Sequence, residues 1–217
     1  MKNVIIFAAN GQISRLVEER LLANDPDINL TLFLRNSQRL AELANNNDRV
    51  TLVDGNLDDT QAISDAMKNQ DIAFIGVVDH ESQNTITKNV IAGAKTNGVK
   101  RIIECNVLGI YDEVPNEFGR WNAEMIGEAG LRTARNADKL LEESGIDYTT
   151  LRLPWLNDRN DLNYTITHKD EEYVGVSGSR KSMADVVVKI IENPDYLKND
   201  SVGIADLTTQ GSDRPVY

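Results

Sequence analysis

The stretch from Val4 to Ser14 constrains the fold more than any other. Val4-Ile5-Ile6-Phe7 is a short, unbroken apolar run, as expected of a strand buried on both faces of a parallel sheet. Ala8-Ala9-Asn10-Gly11 follows as a small-residue turn, with a single glycine. From Gln12 to Leu22 the apolar residues Ile13, Leu16, Val17 and Leu21 recur at helical spacing, while Arg15, Glu18, Glu19 and Arg20 fall mostly off that face. Strand, tight turn and helix N-terminus in succession aim unpaired amides and the positive end of the helix dipole at one point. Such a point binds phosphate.

The same alternation continues along the chain. Further strand patterns span Ile28–Leu34, Arg49–Asp54, Asp71–Val78, Val99–Val107, Ile146–Leu153 and Ser201–Ala205. Ser37 and Thr60 are candidate caps for two helices, the first carrying Leu40, Leu43 and Ala44, the second Ile63, Ala66 and Met67. Ile86, Val90, Ile91 and Ala94 mark another helix, and Asn122–Ser144 predicts the longest, closed by Gly145. Tyr164–Thr167 and Tyr173–Val176 are expected to pair as a small hairpin, and Ser182–Glu192 is amphipathic. Strands alternating with helices require right-handed crossovers. The expected class is therefore α/β: a Rossmann-like, doubly wound parallel sheet with helices on both faces and a small C-terminal cap. No Pro- or Gly-rich linker divides the chain, so residues 1–217 read as one nucleotide-binding domain, with about 154–217 as the substrate-side cap.

Composition excludes several classes. A formal charge of -11 and a pI near 4.7 argue against a nucleic-acid surface, which is normally basic. No apolar run approaches the roughly 20 residues of a membrane-spanning helix. The N-terminus runs straight into a strand pattern without a signal-peptide layout, and the single cysteine, Cys105, fits a reducing compartment, so the expected location is cytoplasmic. With two histidines and one cysteine, no structural zinc site is expected.

Ala8, Gly11 and Ser14 fall on the pattern Gly-x-x-Gly-x-x-Gly, whose positions serve a tight turn, close approach to a pyrophosphate, and helix–strand packing. Gly11 holds the middle place, where a side chain would strike the ligand, and Asn10, Gln12 and Ile13 complete the pyrophosphate side. Arg35 follows the second strand, where an acidic residue would favour a free ribose 2′-hydroxyl and arginine accommodates a 2′-phosphate. A solvated surface arginine is the alternative. Turn and arginine together point to NADP(H), with NAD(H) as the less favoured cofactor. Asn56 and Leu57, at the end of the third strand, would flank the adenine, and Val77 and Val78 close the expected set at the end of the fourth.

These residues carry a resemblance. Ala8–Ser14, Leu34-Arg35-Asn36 and Gly55–Asp59, with Val99–Ile103, Gly109-Ile110-Tyr111, Ala137–Leu141, Gly145–Thr149 and Ser182–Val186, make the chain similar to the atypical short-chain dehydrogenase/reductases. The nearest groups are the NAD(P)-binding NmrA-like and flavin/biliverdin-reductase-like proteins. The resemblance implies the same fold, cofactor and carboxyl-edge site. It also exposes a departure. Typical members carry Tyr-x-x-x-Lys on the long helix, the lysine lowering the tyrosine pKa and holding the cofactor ribose. Here the register reads Arg135-Asn136-Ala137-Asp138-Lys139, which implies Lys139 as a cofactor-binding residue and puts arginine in place of the tyrosine. Arginine, with a pKa above about 12, is no general acid at neutral pH. The family's strand-end serine aligns with Cys105-Asn106.

The remaining candidates follow from that alignment. Tyr111 could replace the missing phenol if Lys139 or Arg135 lowered its pKa, or it could simply pack. Asn106 could orient a substrate or cap its strand. Cys105 reads as core, and His80 as a loop residue at the cleft edge. Trp121 and Trp155 could stack on a planar ring or anchor the cap. Two functions remain open. One is NADP(H)-dependent hydride transfer to a small planar acceptor such as a flavin, quinone or conjugated carbonyl. The other is a non-catalytic NADP(H) sensor of NmrA-like type with a regulatory protein partner. A homodimer is compatible with either.

Overall fold

Each strand pattern seen in the sequence enters a sheet except Tyr173–Val176, and the helices between the main strands supply the crossovers. The computed structural model describes residues 1–217. In chain order the elements are β1 (Lys2–Phe7), α1 (Gln12–Asn24), β2 (Ile28–Leu34), α2 (Ala41–Asn45), β3 (Val50–Asp54), α3 (Thr60–Ala66), β4 (Ile72–Ile75) and α4 (Thr85–Asn97). Then come β5 (Arg101–Val107), α5 (Asn116–Glu142), β6 (Asp147–Leu153), β7 (Trp155–Asn157), β8 (Thr165–Thr167), β9 (Ser177–Ser179), α6 (Arg180–Glu192) and β10 (Asp200–Ala205). The main sheet has the order β3-β2-β1-β4-β5-β6-β10-β8. All its pairs are parallel except β10 with β8. Strand order reverses between β1 and β4, and a crevice opens there at the carboxyl ends.

The unbroken apolar run of β1 follows from having helices on both sides. Val4 and Ile6 pack with Val17 and Leu21 of α1 and Val187 and Ile190 of α6. Ile5 and Phe7 face the other way, onto Ile63 of α3 and Val90 and Ala94 of α4. Each such fully buried side chain contributes about 1.5–3 kcal/mol. One residue of α1 breaks its pattern: Glu18 is fully buried rather than solvent-facing, paired with Arg15, and burial pushes its carboxyl up to about 8.

Four local expectations are corrected. Ser37 caps nothing; its amide donates to Asp54 Oδ2 at 2.7 Å, and a 3-10 turn over Ser37–Leu40 precedes α2. Asp59, not Thr60, caps α3 by accepting from the Ala62 amide at 2.9 Å. The long helix starts earlier, at Asn116, and is interrupted at Gly127, whose φ of 77° and ψ of 154° no helix permits. The hairpin does not form: Thr165–Thr167 lines up on β10, and β7 pairs in parallel with β9 as a separate two-stranded sheet.

The segment beyond Leu153 therefore divides. Helix α6 and strand β10 complete the main sheet and its layer, while Trp155 of β7 packs on a smaller cluster of Leu108, Phe118, Tyr173, Val176 and Ala205. Arg152 ties this cluster to β6. Its guanidinium is fully buried and donates to Glu113 Oε1 at 2.6 Å and to the Ser201 carbonyl at 3.0 Å. Glu113 in turn accepts from the amides of Gly109 and Tyr111, both at 2.9 Å. Removing one partner of such a pair strands the other charge. Glu113→Ala should lower unfolding free energy by about 3–5 kcal/mol in chemical denaturation; a loss below about 1 kcal/mol would show that Arg152 is satisfied without it.

Candidate functional site

The crevice at the β1/β4 reversal is a cleft of about 420 Å³. Its floor is the first turn. Ala8 adopts φ 56°, the left-handed conformation for which this position normally takes glycine. The turn closes through the Gly11 amide on the Ala8 carbonyl at 2.9 Å. A Cβ on Gly11 would lie 3.2 Å from the Ala8 carbonyl oxygen and 3.4 Å from that of Gly76. No side chain caps α1 and no acidic residue occupies its first turn, so the first-turn amides and the helix dipole remain available to an anion.

The third glycine position holds Ser14, and the compensation lies across the contact. A Cβ on Gly76, just past β4, would come within 2.0 Å of Ser14 Oγ. The glycine has moved from helix to strand, so the helix still approaches the sheet closely. A lone glycine in the run Ile75-Gly76-Val77 is the sequence signal for this close approach.

At the other end, Arg35 and Arg39 line the cleft with Asn56, Leu57 and Asp58. Arg39 donates to the carbonyls of Arg35 at 2.8 Å and Asn36 at 3.3 Å, which fixes it beside Arg35. Asp54, the carboxylate at the end of β3, is spent on the Ser37 amide, which holds it below the usual carboxylate range. Of the expected cofactor set, Ala8, Asn10, Gly11, Arg35, Asn56, Leu57 and Val77 line this one cleft. Gln12 and Ile13 belong to the first turn of α1, Ile13 with its side chain in the core, and Val78 packs against the core rather than lining the cleft. Phe33, Gly55, Glu81 and Ile86 also line it and carried no sequence motif.

Residues 8–194 match the protein family described as NAD(P)H-binding. The chain belongs to that family. No curated protein sequence matches it. Among solved structures, a Rossmann-fold NAD(P)-binding family protein from Shigella flexneri is 30% identical, with a TM-score of 0.81 over 100% of this chain and 99% of that one. A wide-type short-chain dehydrogenase/reductase from Veillonella parvula, solved with NADP, superposes with a TM-score of 0.90 at 22% identity, covering 100% and 99%. ChuY from Escherichia coli O157:H7, described as an anaerobillin reductase, gives 0.78 at 18% identity, covering 99% and 100%. The resemblance to atypical short-chain dehydrogenase/reductases is thus borne out in the fold, and the chain is NAD(P)H-binding. No helix is long and apolar enough to cross a membrane.

The expected catalytic residues are not brought together. Lys139 stands on the solvent side of α5, its side chain 66% exposed, 3.6 Å from Glu143. Its neighbour Asp138 is the residue that turns inward, and it accepts from the Tyr111 hydroxyl. Burial first, then the Asp138 charge, push the Tyr111 phenol up, the reverse of the lowering expected from Lys139 or Arg135. Arg135 instead donates to the Ile110 carbonyl. Tyr111 lines a separate depression with Glu113 and Lys169, and its ring lies 5.4 Å from the Arg152 guanidinium carbon. Both ends of the Asn106 amide are used inside the protein, Nδ2 on the Ala134 carbonyl at 2.9 Å and Oδ1 on the Val107 amide at 2.8 Å. Asn106 therefore ties β5 to α5 and has no group turned to a substrate.

Other candidates settle as structure. Trp121 and Trp155 pack on each other at 4.7 Å, and Trp155 Nε1 donates to Asn122 at 2.9 Å. They anchor the small cluster rather than line the cleft. Cys105 is buried in β5, where burial pushes its thiol up, and His80 is exposed. The helix–strand contact can be tested directly. Gly76→Ala should cost about 1–3 kcal/mol of stability, and substantially less in a Ser14→Ala background. Equal costs in both backgrounds, read by denaturation, would show that Ser14 Oγ is not what excludes a side chain at Gly76.

Proposed function

We propose that the protein is an NADP(H)-dependent oxidoreductase that passes hydride to a small planar acceptor, a flavin, quinone or conjugated carbonyl. The observation that carries the cofactor preference is the paired Arg35 and Arg39 at the ribose end of the cleft, with Asp54 tied up on Ser37. The NADP complex of the Veillonella protein supports it. When bound, NADPH supplies the hydride. The chain's part is to hold the pyrophosphate on the amides of α1, to take the 2′-phosphate between two guanidinium groups, and to leave the end of β4 open to the acceptor. With Tyr111 and Lys139 turned from the cleft, rate comes from positioning rather than from a protein acid. Conjugated acceptors tolerate that, and ChuY, described as a reductase, supports the reading.

The same placement of Tyr111 and Lys139 favours a second reading, an NADP(H) sensor that reports to a protein partner. The two are separated by mixing the protein with NADPH and a panel of flavins, quinones and aldehydes while following absorbance of the reduced nicotinamide. The enzyme reading expects oxidation with at least one acceptor. Tight NADPH binding with no acceptor-dependent loss would overturn it in favour of the sensor. For the cofactor, Arg35→Glu should weaken NADPH binding by about 10–100-fold, or about 1.4–2.8 kcal/mol, while NADH binding changes by a factor of about two or less. Equal loss of both would show that Arg35 does not read the 2′-phosphate.

A further inference from the structure

Beneath the cleft lies a buried chain of three side chains that neither the cofactor nor the chemistry above accounts for. Asp79, in the loop after β4, Thr87 in the first turns of α4, and Glu104 in β5 are 2%, 0% and 0% exposed. The Thr87 hydroxyl lies 2.9 Å from Asp79 Oδ2 and 2.7 Å from Glu104 Oε1. A hydroxyl has one proton, so it can donate to only one carboxylate. For both contacts to be hydrogen bonds, one acid must bring its own proton.

Geometry decides which. Asp79 already accepts from the Glu81 amide at 3.1 Å and the Thr87 amide at 3.0 Å, bonds that suit an ionised group. Glu104 has no amide donor, and its Oε2 has no hydrogen-bond partner at all. The charged groups facing it are both carboxylates, Asp79 from the loop and Asp138 from α5. Its register neighbours on β4 and β6 are Ile75 and Thr150. The adjacent Cys105 points into the opposite layer. With no cation to hold it as an anion, Glu104 keeps the proton and donates to Thr87, which donates to Asp79.

Asp79 is the one of the three that lies in the cleft's loop. It sits between Val77 and Glu81, both of which line the cleft, and its two amide bonds set that loop's path. We propose that Glu104 is a positioning residue for the cofactor: as a neutral acid it orients Thr87 and Asp79, and so holds the Val77–Glu81 loop in its binding shape. Loss of the proton leaves one hydroxyl between two carboxylates and loosens the loop. The inference rests on dinucleotide binding in the cleft, not on any acceptor.

Burial pushes Glu104 up to about 8, so the linkage has a definite sign. Binding should be strongest when Glu104 is protonated and weaken as pH rises through that value. NADPH affinity of the intact protein, followed by nicotinamide fluorescence between about pH 6 and about pH 9.5, should fall by up to about tenfold per pH unit above the transition. Glu104→Gln keeps a donor to Thr87 but cannot titrate, so it should match wild-type affinity near neutrality and lose the alkaline decline. Thr87→Val should bind more weakly at every pH, without a step. Glu18→Gln, which removes the other carboxyl pushed up to about 8, should retain the decline. A wild-type protein with no decline, an undiminished decline in Glu104→Gln, or its disappearance in Glu18→Gln would each overturn the proposal.

Amide hydrogen exchange keeps the test independent of the ligand and of any variant's folding. In the free wild-type protein, protection of the Glu81 and Thr87 amides, corrected for intrinsic rates, should drop by about tenfold across the same transition. Unchanged protection would overturn the latch, whereas absent NADPH binding at neutral pH with the protection change intact would overturn the cofactor assignment alone.

Discussion

The close approach of α1 to the end of β4 is the constraint from which the site follows. Ser14 Oγ occupies the space where a Gly76 side chain would stand, and the Gly76 carbonyl lies close beside Gly11. Only at that separation do the first amides of α1 reach the mouth of the crevice instead of the interior of the sheet. The left-handed Ala8 lets the chain turn fast enough to get there. Strand order supplies the crevice, and this contact supplies the electrostatics that make it attractive to an anion.

Binding and chemistry are built from different parts of the sheet. The ends of β1, β2, β3 and β4 hold the cleft. Around the ends of β5 and β6, polar groups bond to one another: Asn106 with α5, Tyr111 with Asp138, Arg152 with Glu113. Breaking any of these bonds would strand a buried polar group, and a buried charge at Arg152–Glu113. That half of the sheet is committed to holding the molecule together. That physical division is what the proposed preference for an acceptor needing little acid rests on.

Much of this was legible in the residues because it depends on period and size. Alternation of apolar runs and helical spacing determined the layers, and the small residues at Ala8, Gly11 and Ser14 located the turn. The unread parts depend on contacts between distant segments. Nothing local distinguishes Asp138 from Lys139, since only the roll of α5 on the sheet decides which turns inward. The pairing of Thr165–Thr167 with β10 and of β7 with β9 was hidden because three-residue strands carry no period. Two unread residues did leave a trace. Gly76 interrupts an apolar run where a β-branched residue would serve a strand better, and Glu104 is the one charge between Ile103 and Cys105. Buried acids are rare enough that a carboxylate in such a run signals a special environment.

The central position of Cys105 has a practical consequence. Its backbone is laddered to β6 beside it, its side chain lies in the layer shared with α1 and α6, and its thiol is held in the unreactive form. Fraying at the ends of helices or motion of surface loops does not expose it. A thiol reagent reaches it only when the middle of the sheet parts, so the rate of alkylation is a built-in clock for opening of the whole molecule. The protein therefore carries its own gauge of global stability, one that cofactor, pH or substitution can be read against without an added label.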